Sequence, residues 1–154
     1  MTKTPLLISA CLLGVPCRYD GASKPCAALE QLADRFVLVP VCPEQLGGLS
    51  TPRVPAERNG DRVITREGKD VTLNYCSGAQ EALRIAHITG CRTALLKAKS
   101  PSCGYGRIYD GTHTGTLTKG NGITAQLLKD HGITVFTDEQ LDALFAAEQI
   151  NIPE

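Results

Sequence analysis

Short apolar runs alternate with amphipathic segments along this chain, and the alternation predicts its secondary structure. Four runs have the length of buried strands, at residues 6–8, 36–39, 93–96 and 133–136. Between these runs, apolar residues recur at the three- and four-residue spacing of helices. Strands that alternate with helices are typical of a parallel sheet covered on both faces. We therefore expect one small, doubly wound α/β domain over residues 1–154, Rossmann-like or flavodoxin-like, with about four strands in the order 2-1-3-4.

Capping residues set the expected limits of the helices. The first helix opens near Ser23, with Pro25 in its first turn. The second covers residues 72–88, with Leu73 among the apolar positions on its buried face. A third helix covers 123–131, and Asp138 caps the last one.

Two segments have the composition of connections. Residues 43–60 are rich in proline and glycine and are predicted to form a loop. Residues 97–122 are rich in glycine and turn-forming residues, and we expect them to contain one hairpin.

Charge and hydropathy narrow the class of protein. The 154 residues include 16 basic and 16 acidic side chains, a balance that does not favour a nucleic-acid or membrane partner. The sequence before Cys11 resembles a lipoprotein cleavage box, but only three apolar residues lie between Pro5 and Ser9, too few for a secretory signal. No run approaches the roughly 20 apolar residues of a membrane span. We expect a cytoplasmic protein.

Three of the seven cysteines follow predicted strands. Cys11 comes just after the first strand, Cys42 just after the second, and Cys103 in the loop after the third. In open α/β sheets, ligand sites form outside the carboxyl ends of the strands. These thiols are therefore expected to meet at one edge of the sheet, unless they are three unrelated buried side chains. An odd number of cysteines in a reducing compartment does not suggest disulfides.

Other arrangements of cysteines remain open. Cys11, Cys17 and Cys26 lie within one connection and form an alternative metal-binding trio, although Cys26 falls in a predicted helix, where a packing role is expected. Cys76 and Cys91 are expected to be small hydrophobic residues. The sequence contains no C-x-x-C pair, so neither a zinc ribbon nor a thioredoxin-type site is favoured.

Polar residues lie close in sequence to the cysteines of the predicted sheet edge. Glu44 follows Cys42 by two positions and is either a general base or a surface residue in a turn. Ser100 and Ser102 precede Cys103, where hydroxyl groups bind a ligand or stabilise the turn. The glycines of "TKGNGITA" either expose backbone N–H groups to an anion at the start of a helix or form a plain turn. His131 is expected to cap a helix end.

The blocks "SACLLG…CRYDG", "VCPEQLGGLSTPR", "LLKAKSPSCGYGRIYDG" and "GNGITAQLL" resemble the bacterial 2-thiouracil desulfidase-like family, formerly a domain of unknown function. The likeness runs from about residue 6 to residue 136. It implies a [4Fe-4S] cluster held by Cys11, Cys42 and Cys103, with one iron left open. It also implies catalytic roles for Glu44 and Ser100, and a thiolated pyrimidine as the small-molecule substrate.

Three hypotheses follow. The first is a [4Fe-4S]-dependent desulfidase that works by non-redox hydrolysis, releasing sulfide and the oxygenated base. The second is a non-catalytic iron–sulfur or metal-binding protein, a sensor or a carrier. The third is a zinc-dependent hydrolase with Cys11, Cys42 and Cys103 as ligands.

Overall fold

The computed structural model describes residues 3–150, so the remaining six positions of the predicted domain lie outside the described range. Eight strands and five helices follow one another in this part of the chain. They are β1 (Thr4–Ser9), α1 (Leu29–Arg35), β2 (Phe36–Val41), α2 (Pro43–Leu46), β3 (Ala56–Asn59), β4 (Arg62–Thr65), α3 (Thr72–Thr89), β5 (Thr93–Leu96), β6 (Arg107–Tyr109), β7 (Leu117–Lys119), α4 (Ile123–Asp130), β8 (Thr134–Thr137) and α5 (Leu141–Ile150).

The central sheet is parallel and has the order β2-β1-β5-β8. These are the four strands predicted from the apolar runs, and their spatial order is the expected 2-1-3-4. The α/β prediction is therefore confirmed. The predicted hairpin between 97 and 122 is also present, as the antiparallel pair β6–β7.

Both faces of the sheet are covered, which explains why its strands read as continuous apolar runs. Side chains alternate along a strand, so neighbouring residues face opposite layers. Leu7 packs in one core with residues of α3 and α4, including Leu83 and Leu128. Leu6 packs in a second core with residues of α1 and α5, including Leu32.

The prediction of a loop over 43–60 is wrong in two places. Pro43–Leu46 form the short helix α2, and β3 pairs with β4 in an antiparallel hairpin. The β3 sequence AERN contains no apolar run, and in β4 only Val63 and Thr65 are buried. Most of this hairpin lies at the surface, so hydrophobic periodicity gave no signal for it.

Three details of the predicted helices also differ. Helix α1 begins at Leu29 rather than near Ser23, and Cys26 lies before it. Leu73 is 84% exposed, and Tyr75 occupies the buried face instead. Asp138 does not cap α5, because its Oδ1 atom accepts a hydrogen bond of 2.7 Å from the backbone N–H of Ala98. For Asp138, a tertiary contact outweighed the local pattern.

No helix within residues 3–150 combines the length and apolar character needed to cross a membrane.

Helix α2 is held against α3 by two glycines. A Cβ atom at Gly78 would overlap the carbonyl oxygen of Pro43, and one at Gly47 would overlap the carbonyl oxygen of Asn74. The Asn74 side chain then donates a hydrogen bond of 2.9 Å to the Gly47 carbonyl. This close approach places the start of α2, and with it residues 42–44, relative to the sheet.

We expect Gly78→Ala to lower the free energy of unfolding by about 1–3 kcal/mol, because the added methyl group meets backbone that has no rotamer to change. The higher helix propensity of alanine, worth about 1 kcal/mol, offsets only part of this loss. Urea unfolding measures the effect. Ser77→Ala, at the exposed neighbouring position in α3, is the matched control and should be neutral or slightly stabilising. A Gly78→Ala protein as stable as the wild type would contradict the packing described above.

Candidate functional site

A cavity of about 480 Å³ opens at the carboxyl ends of β1, β2 and β5. Its lining includes four of the residues singled out from the sequence, namely Cys11, Glu44, Ser100 and Cys103. The order of the sheet reverses between β1 and β5, and this is the place where open α/β sheets bind ligands.

The three predicted ligand cysteines come from three different connections. Cys11 lies on a 3-10 turn after β1, and Cys103 lies in the loop after β5. Cys42 is not part of the cavity lining, but it lies beside it, with its Sγ atom 3.8 Å from the carbonyl oxygen of Cys17. Burial raises the pKa of Cys103 well above its ordinary value, and the charges of Glu44, Cys11 and Cys42 raise it further. The Cys103 thiol is therefore within electrostatic reach of both Cys11 and Cys42.

Burial also controls the protonation of the other two thiols. It raises the pKa of Cys11 to about 12, with the charges of Cys17 and Glu44 adding to the effect. It raises the pKa of Cys42 to about 12 as well, where Glu44 again adds to it. Near neutral pH these groups are thiols, and a bound cation is needed to convert them into thiolates.

The donor type of the three cysteines suits an iron–sulfur cluster. A single zinc ion holds thiolates at about 2.3 Å from its centre, which brings the ligands close together. In residues 3–150, no group of three histidine, cysteine or acidic side chains is placed to hold one metal ion. Thiolates that bind different irons of a four-iron cluster are spaced more widely, and thiolate is the usual donor for such clusters. Cys11, Cys42 and Cys103 therefore fit an iron–sulfur cluster in donor type and burial.

Ser100 organises the loop that carries Cys103. Its Oγ atom accepts hydrogen bonds of 3.1 Å from the backbone N–H groups of both Ser102 and Cys103. Lys99, one residue earlier, has φ of 69°, in the left-handed region. The hydroxyl oxygen thus accepts hydrogen bonds from two backbone donors, and Ser100 also lines the cavity.

The glycines before α4 do not form an anion site. The backbone N–H groups of Ile123 and Thr124 donate to the carbonyl oxygens of Pro101 and Ser102, at 2.9 Å each. The Ser102 and Thr124 hydroxyl groups are fully buried and lie 2.8 Å apart. Because carbonyl oxygens of the loop accept these backbone N–H groups at the start of α4, the interpretation as a plain glycine-rich turn is correct.

Glu44 is paired with a residue that the sequence did not single out. Its Oε2 atom lies 3.2 Å from Nη2 of Arg53, and the side chains are only 14% and 8% exposed. Its other oxygen, Oε1, is buried and has no hydrogen-bond partner among residues 3–150. Arg53 stands in the same motif nine positions after Glu44, but nothing in that spacing predicts a contact.

The lining carries more basic than acidic side chains. In the described part of the chain, two carboxylates, Glu44 and Glu57, face six cations: Arg18, Lys24, Arg53, Arg66, Lys97 and Lys99. Asp138 and Glu139 offset two of these from outside the lining, each 3.7 Å from a lysine Nζ atom. The remaining positive charge lowers the free energy of an anion in the cavity.

The other cysteine and histidine residues lie in different parts of the fold. Cys17 lines the cavity, as does His113, whose Nδ1 atom is 3.6 Å from Glu57. Cys26 and Cys91 are buried in the two cores, whereas Cys76 is exposed, contrary to its predicted packing role. All seven cysteines lie within the described range and have free thiols. His131 lies at the end of α4, with Nδ1 2.9 Å from the Leu127 carbonyl oxygen.

Known proteins resemble this chain over most of its length. The model of a family described as 2-thiouracil desulfurase matches residues 6–140. The uncharacterised protein YbbK of Bacillus subtilis (strain 168) is 40% identical over 147 aligned positions, which cover 89% of this chain and 97% of that protein. The solved structure of TudS, a [4Fe-4S]-dependent thiouracil desulfidase, is 47% identical, with a TM-score of 0.91 over 96% of this chain and 99% of that one.

Lys99 provides a test of the cavity loop. We expect Lys99→Gly to be about 1 kcal/mol more stable than Lys99→Ala, because a left-handed backbone costs residues with a Cβ atom about 1–2 kcal/mol and glycine much less. Both variants remove the same ion pair with Glu139, so their difference isolates the backbone effect. Urea unfolding of the two proteins measures it. A glycine variant that is less stable than the alanine variant would rule out this conformation at residue 99.

Proposed function

The chain belongs to the 2-thiouracil desulfurase family, and from this we propose that it is a [4Fe-4S]-dependent desulfidase. As a single domain, it would remove sulfur from thiouracil-like pyrimidines and release sulfide and the oxygenated base. The observation that carries the proposal is the cavity at the sheet edge, which is lined by Cys11 and Cys103 from separate strand ends and by Glu44, whose Oε1 atom has no partner in residues 3–150. The resemblance to TudS, which is [4Fe-4S]-dependent, supports the same cofactor here.

We assign the cluster to Cys11, Cys42 and Cys103. When held by three thiolates, the cluster supplies one iron without a protein ligand, a Lewis acid suited to the soft sulfur of a thiocarbonyl group. The chain provides these thiolates from loops anchored to a buried sheet, so their positions do not depend on flexible segments. Ser9 ties the end of β1 to the connection after β5, because its Oγ atom accepts a hydrogen bond of 2.9 Å from the backbone N–H of Lys97.

Glu44 is the proposed general base. Hydrolysis replaces the C=S bond with C=O: one water molecule is consumed, one hydrogen sulfide is released, and no electrons are exchanged. The attacking water must lose a proton, and a carboxylate that lines the cavity can take it. Glu44 fits this role because no other group in residues 3–150 bonds to its Oε1 atom.

Ser100 is proposed to hold the heterocycle. Its Oγ atom already accepts two backbone N–H groups, so the direction left for its O–H is restricted. Donation to a ring nitrogen or carbonyl oxygen would fix the base in the cavity. The basic lining favours an anion, including the hydrosulfide that leaves after hydrolysis.

Sulfide release tests the function. Anaerobically reconstituted protein should hold about four irons per chain and convert 2-thiouracil into uracil and sulfide in equal amounts without added reductant. Serine in place of Cys11, Cys42 or Cys103 should prevent assembly of the cluster, whereas Cys76→Ser at the exposed position should not. Bound iron without sulfide release would favour a sensor or carrier. A colourless protein with one tightly bound zinc would favour the hydrolase alternative.

Replacing the base should separate catalysis from cluster binding. We expect Glu44→Gln to lower kcat by roughly 10²–10⁴, the usual contribution of a positioned base, while the visible absorption of the cluster is unchanged. Ser100→Ala should cause a smaller loss. Cys91→Ser, in the core away from the cavity, is the control and should affect stability alone. Full activity of Glu44→Gln would assign proton transfer to another group.

A further inference from the structure

The two carboxylate oxygens of Glu44 are held in different ways. Oε2 accepts a hydrogen bond of 3.2 Å from Arg53 Nη2, whereas Oε1 is buried without a partner in residues 3–150. Buried carboxylate oxygens rarely lack a partner in native proteins, and an exception calls for an explanation. The terminal torsion of glutamate is broad, so an unrestrained carboxylate plane would turn. The contact with Arg53 therefore sets the orientation of this plane and the position of the oxygen that stays unpaired.

Arg53 is itself fixed from several sides. Its Nη1 atom donates to the carbonyl oxygen of Ser50 at 3.2 Å and to Oγ1 of Thr51 at 3.1 Å. Its Nη2 atom also donates to the carbonyl oxygen of Cys17 at 3.1 Å, and its backbone N–H donates to Tyr19 at 2.7 Å. These bonds fix the plane of the guanidinium group, and only a planar fork can make them all at once.

Because several hydrogen bonds hold the Arg53 guanidinium group, whereas within residues 3–150 the Glu44 carboxylate has its one bond to Arg53, we propose that Arg53 is a positioning residue for the desulfuration reaction. It anchors Oε2 and so leaves Oε1 to accept the proton of the attacking water. This inference rests on the proposed function, since it assigns Arg53 a task in that reaction. A purely structural role, in which Arg53 only joins the loops at 17–19 and 50–53, makes different predictions.

Kinetics distinguish the two roles. In the reconstituted enzyme, Arg53→Met should lower kcat for 2-thiouracil by about 10²-fold, the effect of misplacing a reacting group by about 1 Å, with little change in KM. Arg53→Lys keeps the charge without the fork and should recover only part of the loss. In a Glu44→Gln background, Arg53→Met should lower kcat no further, because the group on which it acts is already absent. Equal fold-losses in both backgrounds would overturn the proposal.

Two measurements do not depend on turnover. Iron content and the visible spectrum of the Arg53→Met holoprotein should match the wild type, because no ligand is changed. A crystal structure of that variant should show the Glu44 carboxylate rotated or in two orientations, with the backbone of α2 unmoved. An unchanged, single carboxylate orientation would overturn the proposal even if the wild type released no sulfide, and absent sulfide release would count separately against the proposed function.

Arg84 provides the matched control. It forms a contact of 2.8 Å with Glu81 on the exposed side of α3, so Arg84→Ala also breaks an arginine–glutamate pair and removes one positive charge. We expect kcat, KM and iron content of Arg84→Ala to equal those of the wild type. A similar loss of kcat in Arg84→Ala would show that overall charge, rather than the position of Glu44, explains the Arg53 result.

Discussion

Burial of both faces of the central sheet is the constraint on which the rest of this structure depends. Helices α3 and α4 cover one face and α1 and α5 the other, so the interior of the sheet has no place for unpaired polar groups. Polar chemistry is confined to the strand ends. At the carboxyl edge, backbone N–H and C=O groups no longer pair with neighbouring strands, and the connections after β1, β2 and β5 converge there.

The edge is kept in shape by contacts that use backbone atoms more than side chains. Glycines at 47 and 78 let α2 approach α3 until carbonyl groups and Cα atoms meet. The loop after β5 is tied to the start of α4 by its own carbonyl oxygens, and Ser100 turns it by accepting two N–H groups. Such contacts leave little freedom to the segments that carry Glu44 and Cys103.

The surroundings of the site disfavour the ionised form of its own thiols. Burial raises the pKa values of Cys11 and Cys42 to about 12, and the negative charge of Glu44 raises them further. A cationic cofactor relieves both effects, because it replaces the thiol protons and attracts the carboxylate. Arg53 partly neutralises the negative charge of Glu44, because the two side chains form an ion pair. Binding of the cofactor and folding of the edge are therefore expected to stabilise each other.

The sequence alone determined the sheet, its order and the residues that end its strands. Runs such as Leu6, Leu7 and Ile8 are apolar because both faces are buried, and that signal is local, so the positions of Cys11, Cys42 and Cys103 after the strands followed from it. Glu44 and Ser100 were singled out by their places near Cys42 and Cys103, and the motif resemblance implied catalytic roles for them. Only the tertiary structure decided the polar hairpin β3–β4, the exposure of Leu73 and the bond between Asp138 and Ala98. It alone paired Glu44 of α2 with Arg53, because this contact depends on how the loop between them turns. Polar loops carry no periodicity from which that turn can be inferred.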